Sequence, residues 1–302
     1  MLFLIAGFGS CKQEGLSECN DYDFGPFGPT IIVDSTGLGR PLVCGSYLIC
    51  YRYGNPGRNI IRIDKISRES EVFTFSDEPI GEMSLKSRHK ICFTDRNRNA
   101  YLMDIMSGEL SELGINSVRS PSWSFDGKYL AVFCNVTGRV VVFDSLSIPI
   151  DTILTDTPIG SVAYPTWSEL DYTIALTIGT HNSYKVHKYD FESRTLADSS
   201  QSLLGLTNDG NDVIKSIVWL DDSTLLALNT NYVITCPLGN ARPPGILSRF
   251  CDDRRLVSMD YHDGKLYCEV YSLLPTESGA YKLDQFVEEY DFPSLIPVNV
   301  YR

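Results

Sequence analysis

A chain of 302 residues with net charge -12 and a pI near 4.8 has enough length for a full core. Its average surface repels phosphate backbones, which argues against nucleic acid as a partner while leaving room for a local basic patch. With 23 Gly, 15 Pro and 17 Tyr, and with Val, Ile, Thr and Phe recurring in short runs between turn residues, the composition favours strands.

The first residues, MLFLIAGFGSCKQEG, are apolar from Leu2 to Phe8 and small through Gly9 and Ser10 up to Cys11, the pattern of an export signal with its cleavage point. This stretch is too short to span a bilayer, which takes about 20 residues, and no later stretch comes close, so a soluble body is expected. The small residues before Cys11 resemble the lipobox of bacterial lipoproteins. That resemblance implies that Cys11 is acylated and that the protein meets a membrane only through its N-terminal lipid. Two features depart from the pattern: no Lys or Arg precedes the apolar run, and Phe8 stands where Leu or Val is usual. The alternative is an ordinary N-terminal strand. The expected division is an export segment over 1–11, a linker over 12–29 and one domain over 30–302.

The body then repeats. Strand-like TIIVDS (30–35) precedes LVCGSYLICY (42–51), and EMSLKSRHKICFT ends at Thr94. SPSWSFDGKYLAVF (120–133) is matched by YPTWSELDYTIAL (164–176), with Trp167 placed 44 residues after Trp123. Looser copies surround Trp219 and end at Val270, which makes six. A second register follows: strands closing on Asp64, Asp104, Asp144, Asp190 and Asp284, at intervals of 40, 40, 46 and 94 residues. Each Asp is expected to accept the backbone amides two residues on and so start a tight turn. The segment SLIPVNVYR closes the chain.

Units of about 40 to 50 residues with four short strands each are the pattern of a β-propeller. A lone blade has two apolar faces, so its neighbours must cover them and the ring must close. The expected fold is all-β, a six-bladed β-propeller of four-stranded antiparallel blades, with TIIVDS and SLIPVNVYR completing a shared blade. A seven-bladed ring and, less well, a β-sandwich are the alternatives.

The repeat SPSWSFDGKYLAVF…GRVVVFDSLS resembles that of TolB-like propellers, whose pattern is Ser-Pro-x-Trp-Ser-Pro-Asp-Gly-Lys, then strand, turn, strand and Asp; here Phe125 replaces the second Pro. With Cys11, the chain is similar to the six-bladed TolB-like lipoproteins of Bacteroides-type bacteria. This implies a cell-envelope location, on the periplasmic or surface side of the outer membrane, and many proteins of that group have no assigned activity. Fold alone does not fix function.

Sequence chemistry is sparse. There are four His and no HExxH, GxSxG or phosphate-cradling glycine loop. No CxxC pair occurs among the nine Cys, so neither a metal site nor a cofactor is expected. Cys50, Cys92, Cys134 and Cys268 read as small apolar residues of strands, and Cys44 and Cys50 as a pair able to bridge in an oxidising compartment. TNDGNDV, with Asp209 and Asp212, lacks the glutamate of a calcium loop. His187 reads as a blade-surface residue.

The loops between second and third strands would share one face, placing Arg58, Arg96, Arg98, His181 and Asn182 on a possible binding rim. Two functions follow. The first is a monomeric, non-enzymatic binding or scaffold protein whose partner is a protein or glycan of the cell envelope. The second is a hydrolase or lyase acting on a saccharide or peptide in the central funnel.

Overall fold

The computed structural model describes residues 30–31, 37–54, 57–75, 79–153, 164–180, 183–200, 214–229, 232–239, 242–250, 254–275 and 281–302. Within them the chain is all-β and contains no helix. After the short β1 (Thr30–Ile31), blade one consists of β2 (Leu38–Cys44), β3 (Tyr47–Gly54), β4 (Gly57–Asp64) and β5 (Ser70–Phe73). Blade two is β6 (Pro79–Ser87), β7 (Lys90–Asp95), β8 (Ala100–Asp104) and β9 (Leu110–Glu112). Blade three is β10 (Val118–Trp123), β11 (Tyr129–Cys134), β12 (Arg139–Asp144) and β13 (Pro149–Ile153). Blade four is β14 (Thr166–Trp167), β15 (Thr173–Thr180), β16 (Ser183–Asp190) and β17 (Thr195–Ser199). Blade five is β18 (Ser216–Trp219), β19 (Thr224–Leu228), β20 (Tyr232–Pro237) and β21 (Gly245–Arg249). Blade six is β22 (Arg254–His262), β23 (Lys265–Pro275), β24 (Tyr281–Asp291) and β25 (Ile296–Tyr301). The ring therefore has six blades, which sets aside both the seven-bladed count and the sandwich.

Strand direction alternates within a blade, so first and third turns share one face of the ring. Second turns share the other face with the connections between blades. We call these the first-turn face and the second-turn face. β1 lies parallel to β25, pairing Thr30 with Val300 and Ile31 with Tyr301. The N-terminal segment thus joins the last blade as a fifth, outer strand, while the four regular strands all come from the C-terminal end of the chain. β25 leaves the third turn, so the parallel β1 begins, at Thr30, on the first-turn face.

The Asp-closed strands build the third turns as the sequence predicts. Asp64 Oδ1 accepts the N–H groups of Ile66 and Ser67 at 2.8 and 2.9 Å. Asp104 accepts Met106 and Ser107, Asp144 accepts Leu146 and Ile148, and Asp190 accepts Ser193. These amide donors hold the Asp64, Asp104 and Asp190 carboxyls below their ordinary pKa. Asp284 is a correction. It sits early in β24, opposite Ser272, and the strand continues to Asp291 before turning. The β23–β24 hairpin is longer than its counterparts, so the match in spacing at Asp284 was fortuitous.

Packing follows from two-residue alternation along each strand, which gives every blade two apolar faces. Among the described residues the buried apolar side chains form six clusters, one at each junction between neighbouring blades. Blades one and two, for instance, bring Ile49, Tyr51 and Ile60 against Ile91, Phe93 and Met103. Each such side chain contributes about 1.5–3 kcal/mol on burial. Cys44 and Cys50 both lie in blade one but join different clusters, on opposite faces of the sheet, and both are free thiols. A bridge between them is therefore absent for a geometric reason.

Candidate functional site

The inner strands enclose a channel of about 480 Å³ that opens at the first-turn face. Four of these strands carry a bulge against their neighbour, between Gly39 and Leu42, Ile80 and Ser84, Arg119 and Ser122, and Leu256 and Ser258. At three bulges the backbone turns left-handed, at Arg40 (φ 51°), Gly81 (φ 74°) and Ser120 (φ 52°). A left-handed Arg is unfavourable, and it persists because neighbouring contacts fix it.

Those contacts form a charged network deep in the channel. The Arg40 guanidinium Nη1 donates to Glu82 Oε1 at 2.7 Å, and its backbone N–H donates to Glu269 Oε2 at 3.0 Å. Glu269 is fully buried, and it also accepts the Ser258 hydroxyl at 2.7 Å and the Gln285 amide at 2.8 Å. Ser120 Oγ donates to the other oxygen of Glu82 at 2.8 Å. Burial opposes the charged form of Arg40, but Glu82 and Glu269 outweigh it and raise its pKa. The approach of Glu269 requires glycine at position 39, where a Cβ would lie 2.4 Å from the carboxylate.

Nearer the mouth, one hydrogen bond recurs between blades. Ser84 Oγ accepts the Trp123 backbone N–H at 2.9 Å, and Ser122 Oγ accepts that of Trp167 at 3.0 Å. Where blade six meets blade one, Asp260 takes the serine's place, its Oδ2 accepting the Val43 N–H at 2.7 Å. Asp260 is half-buried as a residue, with its carboxyl in the enclosed part. Burial, reinforced by the Glu169 carboxylate, pushes its pKa up to about 7 against the pull of the Val43 and Tyr261 amides and Lys65. Lys86 lies 4.1 Å above the Trp123 ring, and His262 also lines the mouth.

The rim residues expected from sequence are only partly visible. Arg96 and Arg98 lie in the second turn of blade two, exposed, and neither forms an ion pair among the described residues. That turn is fixed by Asp95, whose Oδ1 accepts the Asn99 N–H at 2.7 Å, with Arg98 left-handed at φ 66°. Arg98 also ties the turn to blade three, its carbonyl accepting the Val118 N–H at 3.0 Å. Arg58 is the second residue of β4, but its side chain lies outside the described residues, as do Cys11, His181, Asn182, Asp209 and Asp212. His187 is half-buried in β16, and burial together with Lys185 lowers its pKa. Among the described residues no three His, Cys, Asp or Glu converge as metal ligands.

The channel network was not foreseen. Its one local signal is IGEMS, where Gly81 and Glu82 interrupt the Ser-Pro pattern of the inner strand.

A chain from the crystal structure of a nidogen/laminin complex has a similar fold, with a TM-score of 0.57 and 11% sequence identity, over 88% of this chain and 92% of that one. At that identity the likeness carries the fold alone. No family model matches the chain, and no curated protein matches its sequence.

Proposed function

We propose that this propeller is a non-enzymatic binding or scaffold protein of the bacterial cell envelope, of the TolB-like lipoprotein kind. In this reading it is held by acyl chains on Cys11 and receives a protein or glycan partner on its second-turn face. The observation that carries the reading is the Asp95–Asn99 turn, which presents Arg96 and Arg98 from a rigid blade, exposed and, among the described residues, without carboxylate partners, in a chain of net charge -12. Such guanidinium groups suit carboxylates, which uronic-acid glycans and acidic protein surfaces both supply. The channel carboxylates Glu82 and Glu269 are by contrast engaged by Arg40 and by hydroxyl and amide donors.

The test is capture from envelope extract on immobilised protein. The wild type is expected to retain a protein or glycan that the Arg96→Ala/Arg98→Ala variant releases. Equal recovery on both, or none on either, overturns the reading.

Asp260 supports the second reading, a hydrolase or lyase working in the funnel, because a carboxyl with a pKa of about 7 is poised near neutral pH to give or take a proton. Turnover of an envelope saccharide or peptide that Asp260→Asn abolishes would favour it.

A further inference from the structure

The third turns on the first-turn face differ around the ring. In blades one, two and three the Asp carboxylates at 64, 104 and 144 bond the amide two residues on, at 2.8, 2.9 and 2.9 Å. The residue held at that place is Ile66, Met106 or Leu146, with exposures of 83%, 46% and 76%. Ile148 in blade three and Ile296 at the head of β25 extend the series. Blade four has Glu192 at the corresponding place, and its first turn carries Leu170, 70% exposed, between Glu169 and Asp171, while the first turn of blade five carries Asp221 and Asp222. Rigid turns that repeatedly present apolar tips along one arc differ from scattered surface apolar residues, which are ordinary. In the second turns Val136 is the one exposed large apolar residue among those described.

A cationic cavity adjoins the arc. Between blades one and six, 280 Å³ is lined by Lys65, Arg68, Lys265, Tyr267, Glu289 and Tyr301, with His262, Asp263 and Asn299 completing the wall. Glu289 accepts Tyr301 Oη at 2.8 Å and Asn299 Nδ2 at 3.1 Å and has Lys265 at 3.5 Å. Lys265 also holds Asp291 at 2.5 Å. Lys65 and Arg68 form no ion pair among the described residues. The Lys65 ammonium lies 5.5 Å from the Tyr267 ring centre, and Arg68 meets Tyr301 and Asn299 only at 3.5 Å. These two cations flank Ile66 in sequence, so apolar tip and positive charge occupy the same turn. The exposed acids on these and the neighbouring turns are Glu69, Glu109 and, in blade six, Asp263 and Asp291, the last paired with Lys265.

A third observation selects the occupant. β1 is parallel to β25, so Thr30, the end of β1 to which the sequence with Cys11 is joined, lies at this same face. We propose that the first-turn face of blades six, one, two and three rests on a phospholipid bilayer. Ile66, Met106 and Leu146 enter the headgroup layer, and the Lys65–Arg68 cavity receives a lipid phosphate. Apolar contact and cation attraction together give the two signals that stable membrane attachment takes. The proposal rests on the envelope reading for the presence of a bilayer but does not need Cys11 to be acylated. It also leaves the second-turn face, with Arg96 and Arg98, directed away from the membrane.

The experiment is co-sedimentation of the full chain bearing Cys11→Ser with vesicles of phosphatidylethanolamine and phosphatidylglycerol. This protein is expected to bind. Ile66→Asp/Met106→Asp/Leu146→Asp is expected to weaken partition roughly a hundredfold or more. Lys65→Ala/Arg68→Ala is expected to weaken it roughly thirtyfold, with little change on phosphatidylcholine alone. Val136→Asp, on the opposite face, should match the parent. No sedimentation of the Cys11→Ser protein, or equal losses in the triple and Val136 variants, overturns the proposal. So does a dimer that the triple variant dissociates in the absence of vesicle binding, which would assign the face to a second copy. Binding that emerges only after residues 2–8 are removed would assign it to the chain's own N-terminal segment, again overturning it. If protein isolated from cells carries no acyl mass on Cys11 while the vesicle result holds, the anchor reading fails and the proposal stands.

Discussion

Ser122 Oγ accepts the backbone N–H of Trp167 at 3.0 Å, so the hydroxyl of one repeat satisfies the amide of the Trp that marks the next. Both residues are buried, and removing the acceptor leaves that N–H without water or partner. Ser122→Ala is expected to destabilise the ring by roughly 1–3 kcal/mol, and Ser122→Thr by much less. Urea unfolding followed by Trp fluorescence measures both. An unchanged midpoint for the Ala variant would mean that apolar packing alone holds blades three and four together.

The corresponding position in blade six is Asp260, and its titration gives a pH signature. Its folded pKa of about 7 lies above the unfolded carboxyl value near 3.9. Between the two, the folded state keeps a proton that the unfolded chain has released, so this group's contribution falls as pH rises from about 4 to about 7 and is level above. The slope is at most about 1.4 kcal/mol per pH unit. Asp260→Asn keeps an acceptor for the Val43 N–H and removes the titration. The stability difference between wild type and Asp260→Asn should therefore change across that window and nowhere above it. A constant difference from pH 4 to 8 would sink the assignment.

Arg40 combines a left-handed backbone with two carboxylate partners, and the two effects separate by substitution. Arg40→Ala leaves the fully buried Glu269 without its cation and should cost roughly 2–4 kcal/mol, the partial exposure of Arg40 keeping it below the fully buried limit. Arg40→Gly makes the same electrostatic change but relaxes φ 51°, and it should be the milder variant by roughly 1 kcal/mol. Chemical denaturation ranks them. A more damaging Gly variant would show that the backbone there carries no strain.

Thiol chemistry checks the packing of the strands. Burial raises the Cys92 and Cys236 thiols to about 12 and also raises Cys44 and Cys50. Cys134 is half-buried; burial works against its thiolate, but hydrogen bonds from Thr137 and the Val136 amide bring its pKa below the ordinary value. Among the described cysteines Cys134 should be the first modified by a thiol reagent in native protein. Mass mapping that finds Cys50 or Cys92 modified first would contradict these burial assignments.

The ring was legible because its local chemistry repeats. Trp123 and Trp167, and the Asp residues at 64, 104, 144 and 190, each answer a need that recurs in every blade: an amide to cap or a junction to fill. Asp284 misled because the β23–β24 hairpin lengthened and carried the turn on to Asp291, and spacing alone does not register a longer strand. The channel network was hidden for a different reason. Arg40 and Glu82, 42 positions apart, meet only when blade two packs on blade one, and Arg40 and Glu269, 229 apart, only when the ring closes. The apolar turn tips were present in plain sequence as Ile66, Met106 and Leu146, yet their common face emerges only once strand directions are known.

The most direct test of a propeller with one lipid-facing and one partner-facing side is photocrosslinking in intact envelope, with a photoreactive side chain at Arg98 or, separately, at Met106. Arg98 is expected to yield protein or glycan adducts and Met106 lipid adducts. Lipid adducts at Arg98, or the same adducts at both positions, would contradict it.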